Sequence, residues 1–565
     1  MRTTTWKPHL LSRSLLLFSF LLASCGGGGT PSQPGNTGVP GGFSGVDLVP
    51  GNAFTGETRE PPAYGTLLEQ RAKAIARFDL VPFQEVSGPF EVGVVAFSGY
   101  GIDRVEFSAD GSPWVAVKYP SLNPRTKVFE YWVTLKPEPT VSKRIEVRAI
   151  VYPNKGAPRL LTGAFVDYTK PTFNASSIYV SVKGNDKWPG SMEFPVQSLD
   201  KGLEIVADGG TVVITEPGEY PIKGRASSRK NDKWITVTRS ASLSRDKVIV
   251  YGNALKSDVI RPMIHKVRWN GVTFDFKRIS SYYPEIGDYV WFDDVRWYNP
   301  LGYRYRKQPF DMNPVRNADL KSYVTNSIAE DMAYGFTAFD LVRNCKVDKI
   351  SSDAYQNSQL VLNSEAWRVD ADAIPEYHTD VFQYFGTHEN VIVYNFKAFR
   401  SKRAQGIFLD KTSSSFSNMA FVNVFMDLDQ PNAKGGFSQL ASKESHILFA
   451  NVSLLDQKLI FRRDFQGASR FEPENLFFIN CAFNSVGAMG SGSNAVPGVV
   501  FKNNHFVVPE SSVGDYPTSG EIYHKIVGGD YVYGGAARNL LIGSGFYFKS
   551  LGASKPVPRG AFNPQ

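Results

Sequence analysis

Asn390-Val391-Ile392-Val393-Tyr394-Asn395-Phe396 returns as Asn418-Met419-Ala420-Phe421-Val422-Asn423-Val424, as His446-Ile447-Leu448-Phe449-Ala450-Asn451-Val452, and as Asn475-Leu476-Phe477-Phe478-Ile479-Asn480-Cys481. A last copy is Val499-Val500-Phe501-Lys502-Asn503-Asn504. The closing Asn stands at 395, 423, 451, 480 and 503, so the intervals are 28, 28, 29 and 23 residues. Leu341-Val342-Arg343-Asn344-Cys345 is an earlier copy and Phe292-Asp293-Asp294-Val295 a weaker one. A fixed period of this size means stacked supersecondary units. Each unit is a strand with no room for a full helix, which excludes helical repeats and leaves a β-solenoid. Asn suits the turn because it tolerates the left-handed conformation, and its amide can bond the rungs above and below. Some ten to twelve rungs fit between Tyr179 and about Phe548, with a long insert from Tyr298 to Tyr334.

Successive rungs lie ~4.8 Å apart. Cys345 and Cys481 follow equivalent Asn residues about five rungs apart, on the order of 24 Å, whereas a disulfide needs about 7 Å or less. They are expected to be buried, inert thiols.

Composition agrees with a β protein. Of 565 residues, 40 are Phe, 26 Tyr and 50 Gly, which favours strands and turns over helix bundles. The charged fraction of 21% and hydrophobic fraction of 42% exclude a wholly disordered chain and a multi-span membrane protein.

The N-terminus reads as an address. Arg2, Lys7 and Arg13 precede the apolar run Leu15–Ala23, nine residues long, against about 20 needed to span a bilayer. Leu22-Ala23-Ser24-Cys25 resembles the lipobox of bacterial lipoproteins. The resemblance implies a signal peptide over 1–24, diacylated Cys25 as the new N-terminus, and, with Gly26 rather than Asp, the outer membrane of the cell envelope. An ordinary secretory signal with a chance Cys is the alternative. Loss of three cations lowers the formal charge from +8 to +5, compatible with an acidic partner without demanding one. Residues 25–62, rich in Gly, Pro, Ser and Thr, read as a flexible tether.

Period-two runs such as Ile145-Glu146-Val147-Arg148-Ala149-Ile150-Val151 recur over residues 75–170, separated by turn residues. They predict an immunoglobulin-like or fibronectin-like β-sandwich without a Cys pair, a spacing or docking module with no catalytic constellation. At Tyr179 the character changes. Tyr179-Val180-Ser181, Gly184-Asn185-Asp186, Pro189-Gly190-Ser191 and Gly209-Gly210-Thr211-Val212-Val213-Ile214 resemble the first turns of right-handed parallel β-helix proteins of the pectin-lyase-like superfamily. That resemblance implies a short helix, about Leu199–Ala207, capping the core. Gly560-Ala561-Phe562 resembles a tail common in the superfamily. The expected fold is all-β: a right-handed parallel β-helix over 175–550 preceded by the small sandwich, with a C-terminal tail over 551–565.

The best place for chemistry is Tyr377-His378-Thr379-Asp380-Val381-Phe382-Gln383. His378 and Asp380 point to one face of a strand and Gln383 to the other. The next rung carries Arg403, Gln405, Asp410 and Lys411, and a further strand Arg462, Arg463 and Asp464. The run His-x-Asp-x-x-Gln followed by Gln-Gly-x-Phe-Leu resembles a segment of bacterial β-helix proteins of unassigned activity. The paired-aspartate, Gly-His-Gly and Arg-Ile-Lys set of polygalacturonases and the Asp-Pro-His run of alginate epimerases are absent.

The expected partner is extracellular polysaccharide, more specifically acidic, bound by a monomer; nothing points to nucleic acid. Three readings stay open. A lyase needs a base beside a neutralised uronate carboxylate: His378, Arg403 or Lys411 as base, Arg462 or Arg463 as neutraliser, Gln405 and the loop residues Tyr303, Tyr305 and Arg306 on substrate. Asp380 is a candidate Ca²⁺ ligand there; no other metal or cofactor is implied. A hydrolase would pair Asp380 with Asp410. The third reading is a non-catalytic carbohydrate-binding or adhesive stalk, in which His378 and Asp380 are a structural pair. Burial discriminates: if His378 and Asp380 face the core or are covered by a loop, the enzyme readings lose their site, and if they open into a cleft lined by the Arg residues and Tyr303 and Tyr305, those readings gain. His388, His446 and His505 are isolated and read as structural.

Overall fold

A computed structural model of the chain describes residues 46–50, 69, 71–137, 142–169, 176–222, 230–252, 259–260, 265–277, 281–282, 289–302, 321–370, 379–401, 404–428, 437–440, 443–462, 474–489, 498–502, 504–506 and 522–523. No helix among them is long and apolar enough to cross a membrane.

Ten strands build the sandwich: β1 (Val46–Pro50), β2 (Ile75–Phe78), β3 (Gln84–Val86), β4 (Phe90–Phe97), β5 (Ile102–Ala109), β6 (Val115–Val117), β7 (Ser121–Leu122), β8 (Phe129–Pro137), β9 (Lys143–Pro153) and β10 (Arg159–Tyr168). One sheet runs β1-β8-β4-β2 with β7 on β8; the other runs β3-β10-β9-β5-β6. All pairs are antiparallel except β3 with β10. The alternation seen in the sequence is the packing: Ile145, Val147, Ala149 and Val151 of β9 are fully buried among Val94, Val105, Phe107 and Val133. The sandwich starts earlier than its sequence signal. Val46–Pro50 pairs antiparallel with β8, so the expected tether over 25–62 contains a strand, which its Gly- and Pro-rich flanks concealed.

Among the described residues after β10, twenty-five strands form one continuous parallel solenoid, and Val259–Ile260 pairs with Ser281–Tyr282 in a separate two-stranded sheet. Helix α1 (Leu199–Ile205) stands near its start, capped by Ser198, whose Oγ accepts the Lys201 N–H at 3.1 Å. Leu199 and Leu203 of α1 are buried with Val180 and Val212. The strands fall into three columns, called the first, second and third sheet. The first runs from Ser177–Val180 through Thr211–Ile214, Ile235–Arg239, Tyr289–Asp293 and Leu341–Arg343 to Val499–Lys502. The second includes Arg296–Tyr298, Ile328–Met332 and Lys346–Ile350. The third includes Phe336–Thr337 and Tyr355–Gln356. Three long strands, Asp380–Phe399, Gln405–Asp427 and Lys443–Arg462, contribute segments to all three.

Repeat and register coincide. Val391 pairs with Met419, Met419 with Ile447, and Ile447 with Leu476. Asn344, Asn395, Asn423, Asn451 and Asn480 all have φ of 52° to 55°. Asn423 Nδ2 donates to Asn395 Oδ1 at 2.8 Å, and Asn395 Nδ2 to Asn363 Oδ1 at 3.0 Å. Asn503 lies outside the described residues. Asn326 and Asn363 also belong to the ladder, at φ 54° and 45°, in short rungs that broke the 28-residue rhythm. Because those rungs are short, the stack is denser than expected, and the strands Lys321–Thr325 and Ile328–Met332 occupy what read as the far end of the 298–334 insert. Cys345 and Cys481 are buried free thiols, each pushed up to about 12 by burial.

The sandwich lies along the outer face of the first sheet. Ile75, Val95, Phe97 and Val128 pack with Trp234, Trp291, Leu341, Leu362, Ile392, Tyr394, Val422, Leu448 and Phe477. Polar contacts run the length of this seam: Trp234 Nε1 to Pro82 O at 2.8 Å, Arg343 Nη1 to Asp79 O at 2.8 Å, Ala76 N to Asn390 Oδ1 at 2.8 Å, and Tyr100 Oη to Asn475 Oδ1 at 2.9 Å. His446 joins both parts. It is fully buried, pairs through Nδ1 with Asn418 Oδ1 at 2.9 Å, and accepts the Gly99 N–H on Nε2 at 3.2 Å. Burial drops its pKa to about 4, so it is neutral. His388 is likewise buried and structural, bonded to Gln359 and to Phe385 O.

Candidate functional site

On the third sheet, Tyr355 pairs with Phe382 and Gln356 with Gln383; on the next rung Asp380 pairs with Gln405 and Gln383 with Phe408. The same register sets Asp353 beside Asp380. Three rungs therefore stack Asp353, Asp380 and Gln405 in one line and Gln356 and Gln383 in the adjacent one. Inward positions are Tyr355, Phe382, Tyr384, Ile407 and Leu409, all fully buried. Gln356 and Gln383 alternate with them and are partly exposed.

Asp380 is 0% exposed and Asp353 3%. Asp353 Oδ1 accepts the Asp380 N–H at 3.2 Å, and Asp353 Oδ2 accepts Gln356 Nε2 at 2.8 Å. Gln356 Nε2 also donates to Gln383 Oε1 at 2.9 Å. Neighbouring backbone bonds fix the corner: Ala354 N–H to Asp380 O, and Gln405 N–H to Thr379 O, both 2.9 Å. Burial first, and the adjacent Asp380 charge second, hold the Asp353 carboxyl well above the usual carboxylate range. Two such neighbours cannot both be ionised cheaply.

The sequence expectations divide as follows. Asp380 and Gln405 are neighbours, as expected. Asp380 does not open into a cleft; it is wholly buried. Asp410 is in register with Phe385, five residues along an extended strand from the Asp380 register. That offset is roughly 16 Å, well outside the ~5–9.5 Å between paired glycosidase carboxyls. The expected Asp380–Asp410 pair is therefore corrected: the two occupy opposite ends of one sheet segment. Leu409, Leu440 and Phe461 are in register, so Asp410 and Arg462, each one residue further on, share a register position two rungs apart. Lys411 follows directly. His378, Arg403, Arg463, Tyr303, Tyr305, Arg306 and the lipidation residue Cys25 lie outside the described residues.

Among the described residues no group of three or more His, Cys, Asp or Glu converges on a metal position. The two buried carboxyls of Asp353 and Asp380 fall short of the six to eight oxygens that Ca²⁺ takes, so these two alone do not make a Ca²⁺ site. Asp353 and Gln356 were missed in the sequence although a signal existed. Asp353-Ala354-Tyr355-Gln356 and Asp380-Val381-Phe382-Gln383 are the same Asp-x-aromatic-Gln pattern, 27 residues apart.

No protein-family model matches the chain, and no curated protein is similar enough in sequence to match it. Among solved structures it is similar to a rhamnogalacturonan lyase at 12% identity and TM-score 0.35, covering 63% of this chain and 90% of that one. It is also similar to pectate lyase Pel9A at 16% identity and TM-score 0.26, covering 59% and 80%. A third is the catalytic domain of a GH87 alpha-1,3-glucanase in complex with nigerose, at 12% identity and TM-score 0.26, covering 86% and 98%. The fold assignment rests on the strand pairings of this chain itself.

Proposed function

We propose that this chain is an exported, lipid-anchored β-helix protein that binds acidic polysaccharide and cleaves it by β-elimination across the outer face of the third sheet. The observation that carries the reading is the three-rung stack of Asp353, Asp380 and Gln405 with Gln356 and Gln383 beside it. β-Elimination removes the proton next to a uronate carboxylate, and it needs hydrogen-bond donors that take up the charge developing on that carboxylate. The Gln383 amide nitrogen is the donor on the exposed side, and Gln356 commits its two N–H groups to Asp353 and Gln383. The buried Asp353 and Asp380 are positioning residues: the Asp353 carboxyl fixes Gln356, which in turn orients Gln383. The base in this reading is His378, which precedes the strand that begins at Asp380. Arg462 shares the register position of Asp410, and Arg403 and Lys411 flank the 405–410 segment in sequence. The preceding two-sheet domain, with its parallel β3–β10 pair, is in this reading an immunoglobulin-like module.

One observation favours a second reading. Asp380 is wholly buried, which suits a carbohydrate-binding solenoid without catalysis. Ultraviolet absorbance of unsaturated uronate, followed beside a reducing-end assay on a panel of uronate polysaccharides, separates the readings. Lyase action raises both signals, and His378→Ala abolishes both. New reducing ends without ultraviolet absorbance would mean hydrolysis. Binding without either signal would leave the second reading.

A further inference from the structure

Between the sandwich and the solenoid lies a pocket of about 330 Å³. Its volume is at the small end of ligand pockets, about 300–1,000 Å³, which favour such domain junctions. β2 and β10 form one wall; the other comes from the first sheet and its corner at Asn390. Leu80, Pro82, Leu161 and Phe165 give it apolar surface, and Tyr289 and Tyr323 give it two aromatic side chains. Its charged groups are Arg77, Lys321 and Asp340.

Arg77 is the distinctive member. Its Nε donates to Asn390 O, and its Nη2 donates to Gln359 Oε1 at 2.9 Å. Both acceptors are neutral. Among the described residues Arg77 forms no ion pair with a carboxylate, and its Nη1 makes no hydrogen bond. Burial lowers its pKa to about 10 in spite of the more distant Asp340 and Glu389. A desolvated guanidinium without a carboxylate gains from an anion that can take two of its N–H groups. Lys321, at the mouth, reaches Asp340 Oδ1 at 3.5 Å; Asp340 Oδ2 is held by the Ser322 N–H at 2.8 Å. The pocket thus offers two cations, one fixed acceptor and aromatic walls. A carboxylate on a hydroxyl-bearing ring matches this set: anion to Arg77 and Lys321, hydroxyl to Asp340, ring face to a tyrosine.

The backbone around Arg77 is set before any ligand arrives. Asn390, at φ 64°, receives the Ala76 N–H on Oδ1 and donates Nδ2 to Ala76 O at 2.7 Å. These two bonds lock β2 to the solenoid corner, so the guanidinium does not need to be ordered on binding.

We infer that this junction is a binding site for a single uronate sugar or the uronate end of an oligosaccharide, separate from the face of the third sheet. It deepens the acidic-polysaccharide reading by naming a second subsite, and it does not depend on cleavage.

The test is titration of the purified protein with D-galacturonate and, for comparison, D-galactose, read by calorimetry or by ligand NMR. Saturable galacturonate binding is expected, with galactose weaker by about tenfold or more. Thr162→Trp, an exposed position on the pocket wall, and Lys321→Ala should each weaken galacturonate by about tenfold while leaving the unfolding midpoint in place. Met192→Ala, at an exposed position outside both sites, should leave it unchanged. Equal binding of galactose, absence of saturable binding, or wild-type affinity in both pocket variants would overturn the inference. The two proposals fail separately. Pocket binding without cleavage of any uronate polymer removes the lyase reading and leaves the pocket; cleavage without pocket binding does the reverse.

Discussion

The first and third sheets of the solenoid share one backbone plan and present opposite outer faces. On the first sheet the outward positions are Trp291, Leu341, Leu362, Ile392, Tyr394, Val422 and Leu448, all buried beneath the sandwich. On the third the outward positions include Gln356 and Gln383, partly exposed and bonded to each other. The inward positions of both are apolar, as a solenoid core requires. What distinguishes the sheets is therefore carried only by alternate residues, and those residues say which face is covered and which meets solvent. A strand buried on both faces reads as a continuous apolar run. Val391-Ile392-Val393-Tyr394 and Leu476-Phe477-Phe478-Ile479 are such runs.

The contrast can be broken most severely on the covered face. Val422→Asp puts a carboxylate between its uncharged register neighbours Tyr394 and Ala450 under the sandwich and should lower stability by about 4 kcal/mol. Chemical denaturation measures it, and a loss below about 1 kcal/mol would mean that the sandwich does not cover that strand.

Acid tests the same seam. His446 is neutral in the fold because burial depresses its pKa from 6.5 to about 4. A group with a depressed folded pKa contributes stability above its unfolded pKa and loses it as pH falls. The loss should begin near pH 6.5, continue to about 4, and reach about 3 kcal/mol. Stability against pH for the wild type and His446→Gln reads this, and the variant should show a flatter slope across that window.

The ladder at the corner between the first and second sheets gives a smaller effect. Asn395 has φ 55° and bonds Asn363 and Asn423. Asn395→Ala loses both amide bonds and keeps the left-handed backbone, at a cost of about 2 kcal/mol. Asn395→Gly should recover part of it because Gly has no Cβ penalty.

Asp353 sharpens the open side. Its folded pKa is raised, so its stabilising contribution is complete below the ordinary carboxylate pKa and is lost as pH rises toward the folded value. Asp353→Asn should therefore match the wild type in acid and become relatively more stable as pH rises toward neutral. Parallel denaturation curves at several pH values give the sign directly.

How much of this was legible follows from which residues carry periodic information. The 28-residue return of Asn395, Asn423 and Asn451 gave the solenoid, the ladder and the distance between Cys345 and Cys481. The same rhythm hid Asn326 and Asn363, because the short rungs between 321 and 360 drop a whole turn's length of loop. Val46–Pro50 was invisible, since five residues among Gly and Pro carry no period and become a strand only through the partner β8. Asp380 and Gln405 were placed side by side correctly. Asp410 was misplaced because the sequence does not show where along a rung the corner falls. Asp353 escaped notice for want of a His before it, although its Asp-x-aromatic-Gln pattern repeats that of Asp380.

The most direct test of the account is the initial rate of unsaturated-uronate formation from an acidic polysaccharide, compared between wild type and Gln383→Ala, with unfolding midpoints measured on the same samples. An outward amide on the open sheet should leave stability within about 0.5 kcal/mol and reduce the rate by about a hundredfold or more. A variant that cleaves at the wild-type rate would contradict the assignment of the third sheet as the reacting face.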